Sequence, residues 1–368
     1  MTNGQFGTES QWYSTIPTET ALRLVTRKIQ AHKLATSHLL FRQVTSVRTK
    51  DIIVIGGSAG AIDVLKRLAQ ALPLNFAASL FAVVHASEGA YGYLAGILGS
   101  ESRLKVTGVG NPVPIEPSHL YIPNPGLHLV LQDGFVRSIA GPRENRFRPS
   151  IDVLFRAAAE GHGPRVVGIL LSGYLDDGVS GLSAIKQRGG TTIVQDPQDA
   201  QASALPENAL ENVEIDYCLP SAKIPEVLMH LVGENVDQPI PPRRVEIMPS
   251  ASENPPSRFT CPECGGTLFE VTEGKVRRLR CRVGHAFSDW SLLSAQDDRV
   301  EDLLWAAQRA LEERADIFSR LAARYKEKGG SELLRRYRSR ANSSSRQAQR
   351  LRELLDSAGI DGAELESD

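Results

Sequence analysis

Three short apolar runs, each ending in small or polar residues, limit what this chain can become. They are Asp51-Ile52-Ile53-Val54-Ile55, Ser79-Leu80-Phe81-Ala82-Val83-Val84 and Val166-Val167-Gly168-Ile169-Leu170-Leu171-Ser172. They lack the polar alternation of a half-exposed strand and read as strands buried on both faces. Between them the spacing turns helical, as with Ile62, Leu65, Leu68, Ala69 and Leu72 over residues 61–72. Helical signal returns from Tyr93 to Leu98, from Ser150 to Ala159 and over 179–188, before the strand Thr191-Thr192-Ile193-Val194. Residues 104–140 are more β-like, with turns at Asn111-Pro112, Asn124-Pro125 and Asp133-Gly134. Strands alternating with helices predict an α/β fold, a doubly wound, mostly parallel, Rossmann-like sheet covered on both faces. Chemistry in such sheets gathers beyond the carboxyl ends of the strands.

The α/β domain is expected over residues 51–233. Residues 1–50 carry a positive excess (Arg23, Arg27, Lys28, Lys33, Arg42, Arg48 and Lys50) without an apolar stripe, and read as a flexible basic tail. Residues 234–258 hold Pro239, Pro241, Pro242, Pro249, Pro255 and Pro256, the composition of an extended linker. A small ribbon is expected over 259–291. A charged helical hairpin and tail follow over 292–368, broken at Gly329-Gly330. One hairpin face reads as Leu303, Leu304, Ala307, Leu311, Ala315, Phe318 and Leu321. The other reads as Leu333, Leu334, Tyr337, Leu351, Leu354 and Leu355.

Charge narrows the function classes. Lys plus Arg number 42 and Asp plus Glu 43, so a net charge of -1 gives no global pull toward nucleic acid or an anionic membrane. No run approaches the ~18 apolar residues of a membrane span, and no signal-peptide pattern opens the chain. A cytoplasmic protein without membrane insertion is the expectation. Four cysteines do not make a disulfide framework.

The first apolar run leads into Gly56-Gly57-Ser58-Ala59-Gly60. A dinucleotide loop fails in either register, because Ser58 and Ala61, or Ala59 and Ile62, stand where glycines are needed. No Gly-Lys-Ser/Thr follows for a phosphate loop. A nucleophile elbow, G-x-S-x-G between strand and helix, does fit: small neighbours expose the hydroxyl, and the helix start offers N–H donors to an oxyanion. Such a serine can also be purely structural. A serine nucleophile needs a base, and the base an orienting acid. His85 closes the second run, and Asp176-Asp177 follow the third, so all three chemistries fall at one sheet edge. A strand-end Asp can instead cap the next helix.

These segments identify a resemblance. Residues of about 51–232 resemble the catalytic domain of the chemotaxis-receptor methylesterase (CheB) family. The likeness is carried by Ile55-Gly56-Gly57-Ser58-Ala59-Gly60, the strand ending in His85, Arg148-Pro149-Ser150-Ile151-Asp152-Val153-Leu154-Phe155, Leu171-Ser172-Gly173-Tyr174-Leu175-Asp176-Asp177-Gly178-Val179-Ser180-Gly181-Leu182 and Gly189-Gly190-Thr191-Thr192-Ile193-Val194-Gln195-Asp196-Pro197. The resemblance implies Ser58 as nucleophile, His85 as general base and Asp177, the acid just before the glycine, as orienting carboxylate. It implies hydrolysis of glutamate γ-methyl esters on receptor helices in signal transduction, with glutamine deamidation by the same route and no catalytic cofactor. It differs from the family at Ala59-Gly60-Ala61 (commonly Thr-Gly-Gly), at Ala86-Ser87 after the histidine (Met-Pro), at Gly173-Tyr174-Leu175 (Gly-Met-Gly) and at Ala204-Leu205-Pro206 (Gly-Met-Pro). Many members carry a phosphoacceptor receiver domain of roughly 120 residues, more than the fifty residues before the first strand can hold. Regulation other than by that phosphorelay is therefore expected.

The ribbon is marked by Cys261-Pro262-Glu263-Cys264 and Cys281-Arg282-Val283-Gly284-His285, two knuckles with 16 residues between them. Three thiolates and an imidazole make a closed tetrahedral shell, so a structural zinc on Cys261, Cys264, Cys281 and His285 is expected. Strands are expected at Thr267–Glu273 and Val276–Arg280. Cys218 stands apart and reads as buried. Arg277, Arg278, Arg280 and Arg282 offer a basic surface, and the acidic run Asp297, Asp298, Glu301 and Asp302 follows closely. That balance argues for a solvated, self-compensating face over nucleic-acid binding, and for a docking module in a receptor, methyltransferase or other signalling complex. The alternative to an esterase is a catalytically reduced interaction module, motivated by the residues around Tyr174.

Overall fold

The computed structural model describes residues 49–86, 88–234, 254–273, 276–327 and 331–361. The basic tail up to Arg48, Ser87, most of the Pro-rich stretch and the Gly329-Gly330 break lie outside the described residues. Thr49–Asp368 forms one compact unit.

Its core is a seven-stranded parallel sheet. The first half contributes β1 (Ile52–Gly57), β2 (Ser79–Val84), β3 (Lys105–Val109) and β5 (His119–Pro123). The second half contributes β8 (Val166–Leu170), β9 (Thr191–Gln195) and β10 (Tyr217–Leu219). The spatial order is β10-β9-β8-β1-β2-β5-β3, so the chain winds outward from β1 on one side and returns through β8 on the other. The crevice at β1 is thus the switch point where ligands of such sheets bind. A second, three-stranded sheet of β4 (Val113–Pro114), β7 (Phe135–Ile139) and β6 (His128–Gln132) accounts for the β-like character of 104–140.

Strand residues alternate between two cores. Ile53, Ile55, Leu80, Ala82, Val84, Val167 and Ile169 pack with α1 (Ala61–Ala71) and α6 (Ile224–Leu231). Ile52, Val54, Phe81, Val83, Leu170 and Val194 face the other way, toward α3 (Ile151–His162), α4 (Val179–Gln187) and α5 (Ala204–Asn212). A helix α2 (Glu88–Glu101) links β2 to β3. Lys50 pairs with Glu234 at 3.0 Å, bringing the two ends of this α/β body together. Cys218 is exposed, contrary to expectation. It sits in the outermost strand, which has sheet on one side only and none of whose three residues is buried.

The C-terminal part opens with an antiparallel sheet, β11 (Pro256–Thr260), β12 (Thr267–Glu273), β13 (Val276–Cys281) and β14 (Ala286–Phe287). A strand therefore begins at Pro256, inside the stretch read as linker; at a sheet edge the missing N–H of proline is tolerated. Two long helices follow, α7 (Asp289–Glu327) and α8 (Ser331–Asp361). Ala315, Ala322, Ala341 and Ala348 are buried where they meet, a seam of small side chains. Leu303, Ala307, Leu333 and Leu354 fall outside the seam and are exposed.

Candidate active site and metal centre

The elbow after β1 is built by close approach. A Cβ on Gly57 would lie 2.4 Å from the Cβ of Ala61, and Gly60 takes φ 78°, a left-handed conformation that glycine adopts without cost. The turn stands between its two neighbours: the Ser58 N–H donates to Ser172 O at 2.9 Å, and the His85 N–H donates to Gly57 O at 3.0 Å. Gly57 pairs with Val84 across the strands, so the next residues, Ser58 and His85, leave the sheet side by side. Among the described residues no hydrogen bond joins the Ser58 hydroxyl to the imidazole; such contacts are often long before substrate arrives.

His85 meets Asp177. Its Nε2 lies 2.9 Å from Asp177 Oδ2, with both side chains nearly buried. Four more donors converge on the carboxylate. Ile151 N–H reaches Oδ2 at 2.7 Å, while Ser150 Oγ (2.8 Å), Asn145 Nδ2 (2.9 Å) and the Asp152 N–H (3.3 Å) reach Oδ1. Burial alone would raise this carboxyl, but the hydrogen bond and charge of His85, with the Ile151 and Asn145 donors, hold it below its ordinary value. An ionised Asp177 accepts a hydrogen bond from the Nε2–H of a neutral His85, which leaves Nδ1 as the ring nitrogen with a free lone pair.

The cap expected of a strand-end Asp is present but goes to a different helix. Asp177, just before α4, accepts the first N–H groups of α3, whereas Asp152, in the first turn of α3, accepts the Gly178 and Gly181 N–H groups at the start of α4 (3.1 and 2.6 Å). Each carboxylate satisfies the orphan donors of the other's helix. Asp176, the alternative acid, is pushed up by burial, against a hydrogen bond with Ser288.

Several residues of the site carry no sequence signal. Phe147 stacks on the His85 ring at 3.6 Å between centroids and 13° between planes. It ends the tight turn Glu144–Phe147, whose central residues Asn145 (φ 49°) and Arg146 (φ 74°) are both left-handed. His128 pins the same loop, donating from Nε2 to Pro142 O (2.8 Å) and accepting the Ser150 N–H at Nδ1 (3.2 Å). Opposite, Tyr174 is 53% exposed beside the elbow, and Leu175 takes φ 59° with its carbonyl held by Asn208.

The second cluster also assembles. Ligand atoms of Cys261, Cys264, Cys281 and His285 all lie within 4.8 Å of one another and can hold a metal ion. His285 offers Nδ1, 3.7 Å from the sulfur of Cys261 and 3.6 Å from that of Cys281, and the sulfurs of Cys264 and Cys281 are 3.7 Å apart. Burial keeps His285 below its ordinary value, favouring the neutral imidazole that ligates metals.

The arginines overturn the expectation of a solvated face. Arg278 and Arg280 are each 1% exposed, while Arg277 pairs outward with Asp289. Arg278 reaches Asp152 (2.9 Å), Glu144 (3.2 Å) and Asn145 Oδ1 (3.0 Å), and Arg280 reaches Glu144 (3.0 Å). Arg282 lies over the Phe269 ring. Two of the four charges on which a nucleic-acid reading rested are thus spent inside the protein.

The family profile for CheB methylesterase matches residues 53–228. A protein-glutamate methylesterase/protein-glutamine glutaminase of Leptospira interrogans is 34% identical over 189 residues, 51% of this chain and 98% of that protein. The methylesterase FrzG of Myxococcus xanthus is 33% identical over 182 residues, 49% of this chain and 54% of its own. The crystal structure of the Thermotoga maritima CheB methylesterase catalytic domain is 32% identical with a TM-score of 0.48, covering 50% of this chain and all of that one. With nearly the whole of the Leptospira protein matched at that identity, the chain belongs to the CheB methylesterase family.

Proposed function

We propose that this protein is a protein-glutamate methylesterase, a serine hydrolase that removes γ-methyl esters from glutamates on methylated receptor helices. The pairing of His85 Nε2 with a five-donor Asp177, beside the Ser58 elbow, carries the reading. Ser58 Oγ attacks the ester carbonyl as His85 Nδ1 takes its proton. Asp177 holds the ring and offsets its growing charge. The backbone N–H of Ala59, next to the nucleophile, is the donor assigned to the developing oxyanion, a kind of contact worth ~3 kcal/mol per donor. The imidazolium returns its proton to the leaving methoxide, methanol departs, and water clears the acyl-enzyme by the reverse roles. A glutamine amide follows the same path with ammonia as leaving group, in keeping with the activities named for the Leptospira relative. Tyr174, exposed at the rim, is positioned to meet the receptor helix.

The metal is zinc and its role structural. Four ligands about 2.3 Å from a tetrahedral centre stand roughly 3.7 Å apart, which matches the sulfur–sulfur and sulfur–nitrogen spacings here. With all four positions filled by the protein, the ion supplies folding energy to the ribbon and no chemistry to the ester. Among the described residues no helix is long and apolar enough to cross a membrane, and we place the enzyme in the cytoplasm, with the receptor signalling domains.

Methyl release from methylated receptor decides the matter. Wild-type protein releases methanol, and Ser58→Ala reduces turnover by at least ~10⁴-fold. Full activity in that variant would remove Ser58 from the mechanism, and an inactive wild type would favour an interaction module.

A further inference from the structure

The ribbon arginines end where the hydrolase keeps its acid. Asn145 is the junction. Its Nδ2 donates to both Asp177 Oδ1 (2.9 Å) and Asp152 Oδ2 (2.8 Å), and its Oδ1 accepts from Arg278 (3.0 Å), the Ser288 N–H (3.2 Å) and Ser291 Oγ (3.2 Å). One face of this amide therefore reads the catalytic carboxylate and the other reads the C-terminal part of the chain.

The backbone around Asn145 is gripped in the same way. Its N–H donates to Ala286 O at 2.7 Å, and Glu144 forms a bridge with Ala286. Arg146, in its left-handed conformation, is bonded to Ser294 and Asp298 of α7. The turn that carries Phe147 onto His85 and Asn145 onto Asp177 is thus clamped from the ribbon side.

Charge points the same way. Glu144, Asp152 and Asp177 are three buried carboxylates packed around one loop. The α/β body faces them with Arg156, which pairs with Glu144 at 2.6 Å. The other two guanidiniums, Arg278 and Arg280, come from β13. A buried carboxylate without a partner takes up a proton or draws in water, and either event unsettles its neighbours.

We propose that Arg278 is a positioning residue for the hydrolase: through Asn145 and Asp152 it fixes Asp177, so the His85–Asp177 hydrogen bond depends on the docked ribbon. The claim rests on the esterase reading for its kinetic test, but not for its structural one. The ribbon is accordingly part of the active-site architecture, although none of its atoms meets the ester.

The full chain is compared as wild type, Arg278→Met, Arg278→Lys, Asn145→Ala, the Arg278→Met/Asn145→Ala double variant and, as control, Arg277→Met. Two quantities are read. One is kcat and KM for methyl release, normalised to sites labelled by a fluorophosphonate; the other is the low-field proton resonance of His85 Nε2–H, which needs no substrate. Arg278→Met is expected to lower kcat by roughly 100-fold with KM unchanged, the scale of a small misplacement of a catalytic group. It should also move or broaden the low-field signal. Arg278→Lys restores part of both. The double variant falls by less than the product of the two single effects, because the two changes share the Asn145 branch. Arg277→Met behaves as wild type. Wild-type kcat and an unmoved resonance in labelled, cooperatively melting Arg278→Met would overturn the proposal. Should that variant fail to fold, Asn145→Ala carries the test with the same two outcomes. A wild type that releases no methanol counts against the esterase reading alone, and the resonance still decides this one.

Discussion

Asp177 illustrates how much chemistry one carboxylate is asked to do. It orients an imidazole, caps a helix that is not its neighbour in sequence and accepts five hydrogen bonds. Asp177→Asn keeps the shape but turns an acceptor into a donor toward His85 Nε2, and kcat is expected to fall about 10⁴-fold at pH 7 with little change in KM. Methyl-release kinetics measure it. Acid stability belongs at this scale too. Glu144 is held far below its ordinary value: burial opposes the shift, and Arg156, Arg280 and Arg278 overcome it. Asp177 is lowered as well. A carboxyl depressed in the folded state contributes stability that is complete above its unfolded pKa of about 4 and drains as pH falls toward the folded value. Asp152, raised to about 7 by burial, and Asp176, also raised by burial, work the other way and add stability as pH falls from 7 toward 4. Thermal melts should therefore not fall between pH 7 and about 5 and should drop steeply below 4, with a shallower acid slope in Glu144→Gln. The turn at Ser58 was legible because a tight strand-to-helix turn imposes local constraints such as those on Gly57 and Gly60, His85 because it closes a buried strand, and Asp177 was singled out from Asp176 only by the family resemblance. Asn145, Asp152 and Phe147 were not, since their importance lies in partners distant along the chain.

Elements tell the same story through strand β13. Its residues alternate: Leu279 and Cys281 belong to the ribbon's small core, while Arg278 and Arg280 point to the opposite face and leave solvent there. The period of two was readable in Arg278-Leu279-Arg280-Cys281. What the sequence could not supply was the facing surface, because Glu144 lies 136 residues away from Arg280. Reading the arginines against the nearby acidic run chose neighbours in sequence over neighbours in space. The metal cluster tests this element. Cys261→Ser, or chelation, should take bound zinc from one per chain toward zero by elemental analysis. Such sites are worth on the order of 10 kcal/mol in isolated ribbon-like peptides, so β11 to β14 should lose their amide protection from hydrogen exchange as the ion leaves.

For the whole molecule, the sequence suggests a catalytic body, a linker, a ribbon and a hairpin, whereas Thr49–Asp368 packs as one compact unit. The parallel sheet could be read because buried strands and amphipathic helices announce themselves locally; the docking of one piece on another rests on individual long-range pairs. Cutting the chain after Glu234 removes Arg278 and Arg280 and leaves Glu144 and Asp152 facing each other with Arg156 as their remaining nearby guanidinium. Breaking a buried ion pair costs ~3–5 kcal/mol, against a typical total stability of ~5–15 kcal/mol. The shortened chain is therefore expected to melt at a much lower temperature, or without a cooperative transition, by calorimetry.

The left-handed turn at Asn145 and Arg146 also bears on how the sheet can be reused. Transplanting residues 51–233 into a chimera would carry Ser58, His85 and Asp177, yet strand the loop that braces the last two. A working graft has to bring β13, β14 and the first turns of α7 as cargo, or supply substitutes for two guanidiniums from its new host.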